Sequence, residues 1–510
     1  MNTVTTDRAK RVVKNAIWEL GYYLIVIALG FLAPRYIILI YGSEVNGLSS
    51  TITQILNIIL ILQSGTTTAA IFSLYKPIAE DDILEISKNV KAAERYFKRL
   101  SYVFCLIMLA VATFTTVLIK SAIEPWLVFI AFVIMGMKSF LDLYFTSKFR
   151  IVFTAYQEKF IISIATLIEQ VVYYALVFLT LFLRLHFIFI YLWLFIGCLI
   201  KVIYLQYKYN KKYVKIIPIY KGKDVGQIKG RSYAFANEVA HSIVASSVAI
   251  ILSFMYGLSE TSVYSVYSLI SQALTLIGTS IYSAFAPGFG SLVAVGNSEN
   301  TKRVFGIFQY IFVMLNTVMY CCMVILGVSF VAIYTSGATD INYANFLLTC
   351  IMGLSGIFSA YRIPYNIVVS SCGYFKETWK QPVICVFVAI LISFIGGYFD
   401  YSLILLGPAL FFLINFIYQH LKLRKLIPHL ISSKVFLMFF ISMLCFGFSV
   451  IGGYYMTIQS NITIWLVLAL VALTASFSFI IIASLILLPD ITKDTWKYIY
   501  NHFFRRKVNA

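Results

Sequence analysis

The chain has 510 residues, of which 61% are hydrophobic and 12% charged, with a mean hydropathy of +0.88. That balance excludes a water-soluble globular protein and points to an integral membrane protein. The net charge of +19 needs no nucleic acid, because the cations fall between apolar runs, where topology and anionic lipid account for them.

A hydrocarbon core of about 30 Å takes about 20 residues of helix, and backbone groups inside lipid must be satisfied within their own segment. The apolar runs therefore predict membrane helices. In chain order they are 16–41, 46–75, 100–119, 126–147, 160–183 and 187–207, then 232–257, 262–290, 304–333, 344–370, 381–399 and 402–420, and finally 434–456 and 462–488. The expected fold is an all-α polytopic membrane protein of about 14 transmembrane helices.

Loop charge orients it. The segments on one side (the N-terminus, 76–99, 148–159, 201–231, 302–303, 376–380, 422–434 and the C-terminus) carry 35 of the 40 Lys and Arg. The other side has only Arg35, Lys120 and Arg184 near its rim. The positive-inside rule then puts both termini in the cytoplasm. The loops expected outside (42–45, 120–125, 184–186, 258–261, 334–343, 400–401 and 457–461) are too short for an external catalytic domain. No cleavable signal peptide is expected, since the first apolar run is too long and lacks a small-residue cleavage site. The eight cysteines form no CxxC and read as buried thiols, so neither a disulfide framework nor a structural metal is expected.

The basic stretch 208–231 reads as a connector along an anionic membrane surface. It separates an N-terminal six-helix lobe, 1–207, from a C-terminal one, 232–421. Residues 422–510 add a helix pair and a basic cytoplasmic tail. An even helix number on each side of the connector makes the lobes co-oriented, as in parallel-repeat transporters. Tyr41-Gly42, Ser43-Glu44 and Gln54 in the first half are echoed by Tyr256-Gly257, Ser259-Glu260 and Gln272 in the second.

Polar residues inside the apolar runs carry the functional reading, because a charge at mid-membrane costs at least ~2.5–3.5 kcal/mol on insertion scales. Lys138 and Asp142 are four apart, hence on one helix face. They read either as an ion pair locking helix 4 or as a cavity-facing pair, with Lys138 meeting an anion and Asp142 a proton or cation. Glu169, beside Gln170 and ahead of Tyr173 and Tyr174, is either a coupling carboxyl or a structural hydrogen-bonding group. Glu238 and His241 share a face near the start of helix 7 and are either a titrating pair or a solvated rim; Glu19 is similarly ambiguous. Arg362, two residues before Pro364, suits phosphate recognition or snorkels to headgroups. Arg35, after Pro34, is a cavity cation or a rim anchor. The hydroxylic and small residues of helices 2 and 8 read mainly as packing.

The run from Lys14-Asn15 through Arg35, Tyr41-Gly42, Glu44, Gly47-Leu48 and Gly65 to Leu74-Tyr75-Lys76 resembles the opening of bacterial polysaccharide (Wzx-type) flippases of the multidrug/oligosaccharidyl-lipid/polysaccharide exporter superfamily. The segment 264–292 is similar to that family's second-half opening. The resemblance implies a flippase moving undecaprenyl-(pyro)phosphate-linked oligosaccharide to the outer leaflet by alternating access, for capsule, O-antigen or exopolysaccharide. It implies two lobes around a central cationic cavity, with the last helix pair serving the lipid tail. Lys138, Arg362 and Arg35 are then the candidate substrate-binding residues, and Asp142, Glu169 and Glu238 the candidate coupling residues.

The expected partners are the lipid-linked oligosaccharide, anionic lipids, a polysaccharide polymerase and glycosyltransferases, in the bacterial cytoplasmic membrane. No cofactor is expected; a sodium or proton gradient or the membrane potential would drive the cycle. The absence of a Walker A motif argues against direct use of ATP. The alternatives are an ion-coupled multidrug exporter of the same superfamily and, against the short loops, an integral-membrane polymerase or glycosyltransferase.

Overall fold

A computed structural model describes residues 2–214, 216–217, 220, 232–295, 298–456 and 461–503. Among them every regular element is helical: α1 (Asn2–Tyr41), α2 (Ser43–Leu60), α3 (Ser64–Ala79), α4 (Ile83–Leu118), α5 (Pro125–Leu141), α6 (Ser147–Ala155), α7 (Lys159–Phe182), α8 (Ile188–Lys212) and α9 (Ser232–Met255). There follow α10 (Leu258–Val295), α11 (Ser298–Tyr334), α12 (Phe346–Cys372), α13 (Phe375–Thr378), α14 (Lys380–Phe399), α15 (Leu406–Leu426), α16 (Val435–Tyr455), α17 (Ile462–Leu487) and α18 (Pro489–Phe503). Each of the 14 expected spans coincides with a helix or with two helical pieces in continuation. Twelve are long and apolar enough to cross a membrane; within the first two spans the qualifying apolar stretches are shorter, Ile25–Tyr41 and Ala69–Ala79. Exposed Phe182, Phe387, Leu391, Tyr398, Phe399 and Leu470 give the helices the apolar exterior that lipid requires.

Several loops proved helical. Residues 83–99, expected as part of a cytoplasmic loop, form the first turns of α4, because Asp82 caps its N-terminus by accepting from the Glu85 N–H at 2.9 Å. Lys98 and Lys91 flank Glu94 there at 2.9 and 3.2 Å, so these charges that read as loop pair with one another on a half-buried helix face. The expected loop 42–45 shrinks to Gly42 at φ 87°, and 258–261 is the first turn of α10. Gly257, at φ 116°, makes the matching break before α10. Both junctions use the left-handed region that glycine enters without a Cβ penalty. The tail expected after the last span includes α18, and α8 runs five residues into the expected connector. Tyr213 ends that extension; its hydroxyl donates to buried Glu158 at 2.7 Å, and Lys212 pairs with the same carboxylate. Connector residues 221–231 lie outside the described residues.

Backbone contacts divide the chain into two compact units: Met1–Ser242 with Ser253–Ser262, and Ile243–Leu252 with Val263–Ala510. In the first, Ala33, Ile37, Val45, Val177, Leu181 and Ile190 join α1, α2, α7 and α8 in one apolar cluster. Asn46 on α2 donates to Ser262 at 2.8 Å, and Gly47 lets the Leu258 carbonyl approach so closely that a Cβ would lie 1.9 Å from its oxygen. Glu44 accepts from the Ser121 hydroxyl at 3.0 Å and the Ala122 N–H at 2.9 Å, closing the loop ahead of α5.

The second unit has a different interior. Tyr361, Tyr365 and Phe416 are buried in its core, where Phe416 stacks on half-buried Phe439 and meets Tyr361 and Tyr365 at an angle. Ser442 bridges the Thr317 hydroxyl at 2.9 Å and the Tyr361 hydroxyl at 2.7 Å. Tyr365 meets His420 Nδ1 at 2.9 Å. Hydroxyls placed at helix contacts satisfy one another and hold α11, α12, α15 and α16 in register, as small and polar residues do in membrane bundles.

Candidate functional site: a ring of four charges

The first unit gathers four charges where α5, α7 and α8 meet, two of them buried and two half-buried. On α5, Lys138 lies thirteen residues in from Pro125; on α8, Lys201 lies thirteen in from Ile188; on α7, Glu169 lies thirteen back from Phe182. At 1.5 Å per residue all three sit about 20 Å from the same end of the unit. Asp142, one turn beyond Lys138, opens the π-helical turn Asp142–Thr146 between α5 and α6. Such single π turns recur at functional sites. Thr146 closes it, donating to the Asp142 carbonyl at 2.6 Å.

The four side chains form a closed ring of alternating sign. Lys201 Nζ is 2.6 Å from Asp142 Oδ1 and 2.6 Å from Glu169 Oε2. Lys138 Nζ is 3.2 Å from Asp142 Oδ2 and 3.4 Å from Glu169 Oε1. Two ammoniums and two carboxylates sum to zero, which is what burial demands of charge. The ring is asymmetric: Lys201 and Glu169 side chains are 6% and 2% exposed, whereas Lys138 and Asp142 are 26% and 19% exposed. Thus one edge is sealed and held by short contacts, and the other is open and held by longer ones.

Local sequence explains the approach. Gly197 lies one helical turn before Lys201 on α8, where a Cβ would come within 3.0 Å of the Glu169 carbonyl oxygen; its absence brings α8 onto α7. Cys198 completes the contact, its thiol 3.7 Å from the Lys138 carbonyl oxygen and 3.9 Å from Asp142 Oδ1. The Asp142 and Glu169 carboxylates and Cys198 Sγ lie within 4.8 Å of one another, a spacing that a cation could bridge. The donor set does not fit one as it stands, because the carboxylate oxygens already hold two ammoniums.

Sequence reasoning singled out Lys138, Asp142 and Glu169, and the structure brings these three together. It missed Lys201, counted there among the loop cations; the residue is buried because α8 continues to Lys212 and carries position 201 inside. The available signal was equal depth, three charges thirteen residues from helix ends. Arg35 on α1 is half-buried in the same unit, away from these four contacts. Arg362, on α12 of the other unit, lies with its guanidinium 5.7 Å from the Phe412 ring centroid. Glu238 on α9 is exposed and His241 half-buried. The side chain of Glu19 lies outside the described residues.

No family model and no curated relative match the chain. Solved structures do. A multidrug resistance MATE family transporter of the MOP superfamily in an inward-facing conformation aligns at TM-score 0.66 and 12% identity, covering 81% of this chain and 98% of its own. The lipid II flippase MurJ in an inward closed conformation aligns at TM-score 0.64 and 12% identity, covering 93% of this chain and 99% of its own. An outward-facing MATE transporter gives 0.57 at 10% identity, covering 82% and 96%. The chain shares the fold of these structures. At these identities the likeness shows the architecture alone.

Proposed function

We propose that the chain is a flippase for an undecaprenyl-(pyro)phosphate-linked oligosaccharide, moving it from the inner to the outer leaflet of the bacterial cytoplasmic membrane by alternating access during surface polysaccharide synthesis. The observation that carries this reading is the span of the structural match. The MATE transporters account for 81–84% of the chain, whereas the lipid II flippase accounts for 93%. The flippase match therefore takes in more of this chain than the transporter matches do.

The ring supports the same cargo class. Its open edge presents a lysine to a pyrophosphate headgroup, and an ammonium is a well-established phosphate partner. Arg35 and Arg362 are further cations proposed for the path, and Glu238 a further coupling carboxyl. A sugar-phosphate head cannot cross hydrocarbon unaided, while the polyprenyl tail can remain in lipid. On this reading both termini face the cytoplasm, the driving force is a sodium or proton gradient or the membrane potential, and a polymerase and glycosyltransferases act on either side of the step.

The decisive experiment is flipping of a fluorescent lipid-linked oligosaccharide in reconstituted vesicles. Wild-type protein should move the headgroup to the opposite leaflet and Lys138→Ala should reduce the rate at least tenfold while inserting normally. Equal rates for the two proteins would remove Lys138 from the cargo path. The multidrug reading is favoured by the TM-score of 0.66 to a MATE transporter. Drug resistance that depends on the chain, without loss of surface glycan on its deletion, would select it.

A further inference from the structure

The ring contains more charge than an anion site needs, and its asymmetry indicates what the surplus does. Resting on the proposed role of Lys138 in headgroup binding, we infer that Lys201 is a positioning residue, the internal counter-ion that frees Lys138 to exchange its carboxylates for a phosphate or pyrophosphate. Lys201 grips both acids at 2.6 Å from the sealed side. Lys138 touches the same two acids at 3.2 and 3.4 Å from the open side. When an anion arrives at that edge, Lys138 turns to it, and Lys201 keeps its contacts with both Asp142 and Glu169, leaving them one negative charge in excess instead of two. Without Lys201 the two carboxylates would hold Lys138 between them and repel the incoming anion.

The other groups facing the ring do not duplicate this role. Arg150, beyond the π turn on α6, acts on Asp142 electrostatically, and Cys198 faces Lys138, Lys201 and both acids. Neither makes a charged contact with Glu169. Charge arithmetic then fixes the signs. Lys201→Met leaves the ring one negative charge in excess and weakens anion binding. Glu169→Gln leaves one positive charge in excess and strengthens it. Joining the two substitutions restores neutrality and returns affinity toward wild type. In Lys201→Met, Lys138 compensates one of the two carboxylates, and adding one proton to the pair removes the remaining excess charge, so the deficit shrinks as pH falls.

The test measures binding of inorganic pyrophosphate and of geranylgeranyl pyrophosphate to the full-length protein in nanodiscs, from pH 5 to pH 8, by calorimetry. Comparing the probes separates a free-phosphate site from a lipid-headgroup site. The expected results are at least tenfold weaker binding by Lys138→Ala, about tenfold weaker binding by Lys201→Met at pH 8, and a Lys201→Met to wild-type affinity ratio that rises toward one at pH 5. Taking the ratio cancels the probes' own titration. If Lys138→Ala binds as wild type does, or wild type binds neither probe, the cargo reading and the inference both fall. If Lys138→Ala loses binding while Lys201→Met matches wild type throughout, the counter-ion inference alone falls. Should Lys201→Met fail to insert, Glu169→Gln decides: tighter binding supports the inference, and unchanged or weaker binding overturns it.

Discussion

The ammonium of Lys201 stands 2.6 Å from Glu169 Oε2, and the side chains are 6% and 2% exposed. This is the least accessible contact of the ring and the one that fastens α8 to α7. A buried ion pair adds little net stability compared with a well-packed apolar pair, since desolvation offsets the attraction. Breaking one is another matter.

Removing one member should therefore cost more than removing two. Glu169→Ala leaves Lys201 with Asp142 alone and a net positive charge in the interior, at a cost of about 3–5 kcal/mol. Glu169→Met combined with Lys201→Met leaves Lys138 and Asp142 as a neutral pair and should recover most of the loss. Thermal midpoints of detergent-purified protein check the order: wild type and the double variant close together, Glu169→Ala well below. A double variant as unstable as the single would show that the ring acts through shape rather than charge.

The ring also shows how far the sequence could be read. Lys138 and Asp142 announce themselves by their four-residue spacing within an apolar run, and Glu169 by its isolation in another. Lys201 precedes Lys208, Lys211 and Lys212, so its charge merges with a solvated helix end, and only the course of α8 separates it from them. Helix positions follow apolar length, and the 14 spans are located well. Helix ends do not follow it, because α4 continues past the hydrocarbon as an amphipathic, capped helix whose charges resemble those of a loop. The Ser442 bridge was illegible, since serine and tyrosine in a membrane helix carry no pairing signal until their helices meet.

That bridge predicts a second stability effect. Ser442→Ala leaves the Tyr361 hydroxyl without its partner at 2.7 Å, whereas Thr317 loses a contact at 2.9 Å but keeps its bond to the Val313 carbonyl. An unsatisfied buried hydroxyl costs about 1–3 kcal/mol. Tyr361→Phe in the Ser442→Ala background removes one orphan and should restore part of the loss. A double-mutant cycle on thermal midpoints measures the coupling; additive losses would mean that the two hydroxyls do not interact.

Gly47 gives a steric prediction. An added Cβ would lie 1.9 Å from the Leu258 carbonyl oxygen, a backbone atom unable to swing aside. Gly47→Ala must displace the start of α10 from α2, at about 1–3 kcal/mol, and should strain the Asn46–Ser262 hydrogen bond. Gly447→Ala is the control, because its Cβ meets nothing within 4 Å and alanine favours a helix. The first substitution should lower the thermal midpoint and the second leave it equal or higher.

The amphipathic α18 offers the last prediction. Its first turns are held from within by Thr492, which donates to the Leu488 and Ser484 carbonyls at 2.9 and 3.2 Å. Outside, Asp490 pairs with Lys434 at 2.8 Å and Asp494 with Arg303 at 3.5 Å. The hydrogen bond from Lys434 holds the Asp490 carboxyl below its usual range, with the charges of Lys434 and Lys493 acting in the same direction. A carboxyl depressed in the folded state lends its stabilisation above its unfolded value and loses it as pH falls through the depressed one. The tether should therefore persist through neutral and mildly acidic pH and weaken only in strong acid. Both partners are exposed, so the effect is small and salt-sensitive. Hydrogen exchange over 489–503 reads it directly. Asp490→Asn should speed exchange there at neutral pH and low salt without changing the thermal midpoint of the membrane core, and high salt should narrow the gap from wild type. Exchange indifferent to both substitution and salt would leave α18 held by Thr492 and its apolar contacts alone.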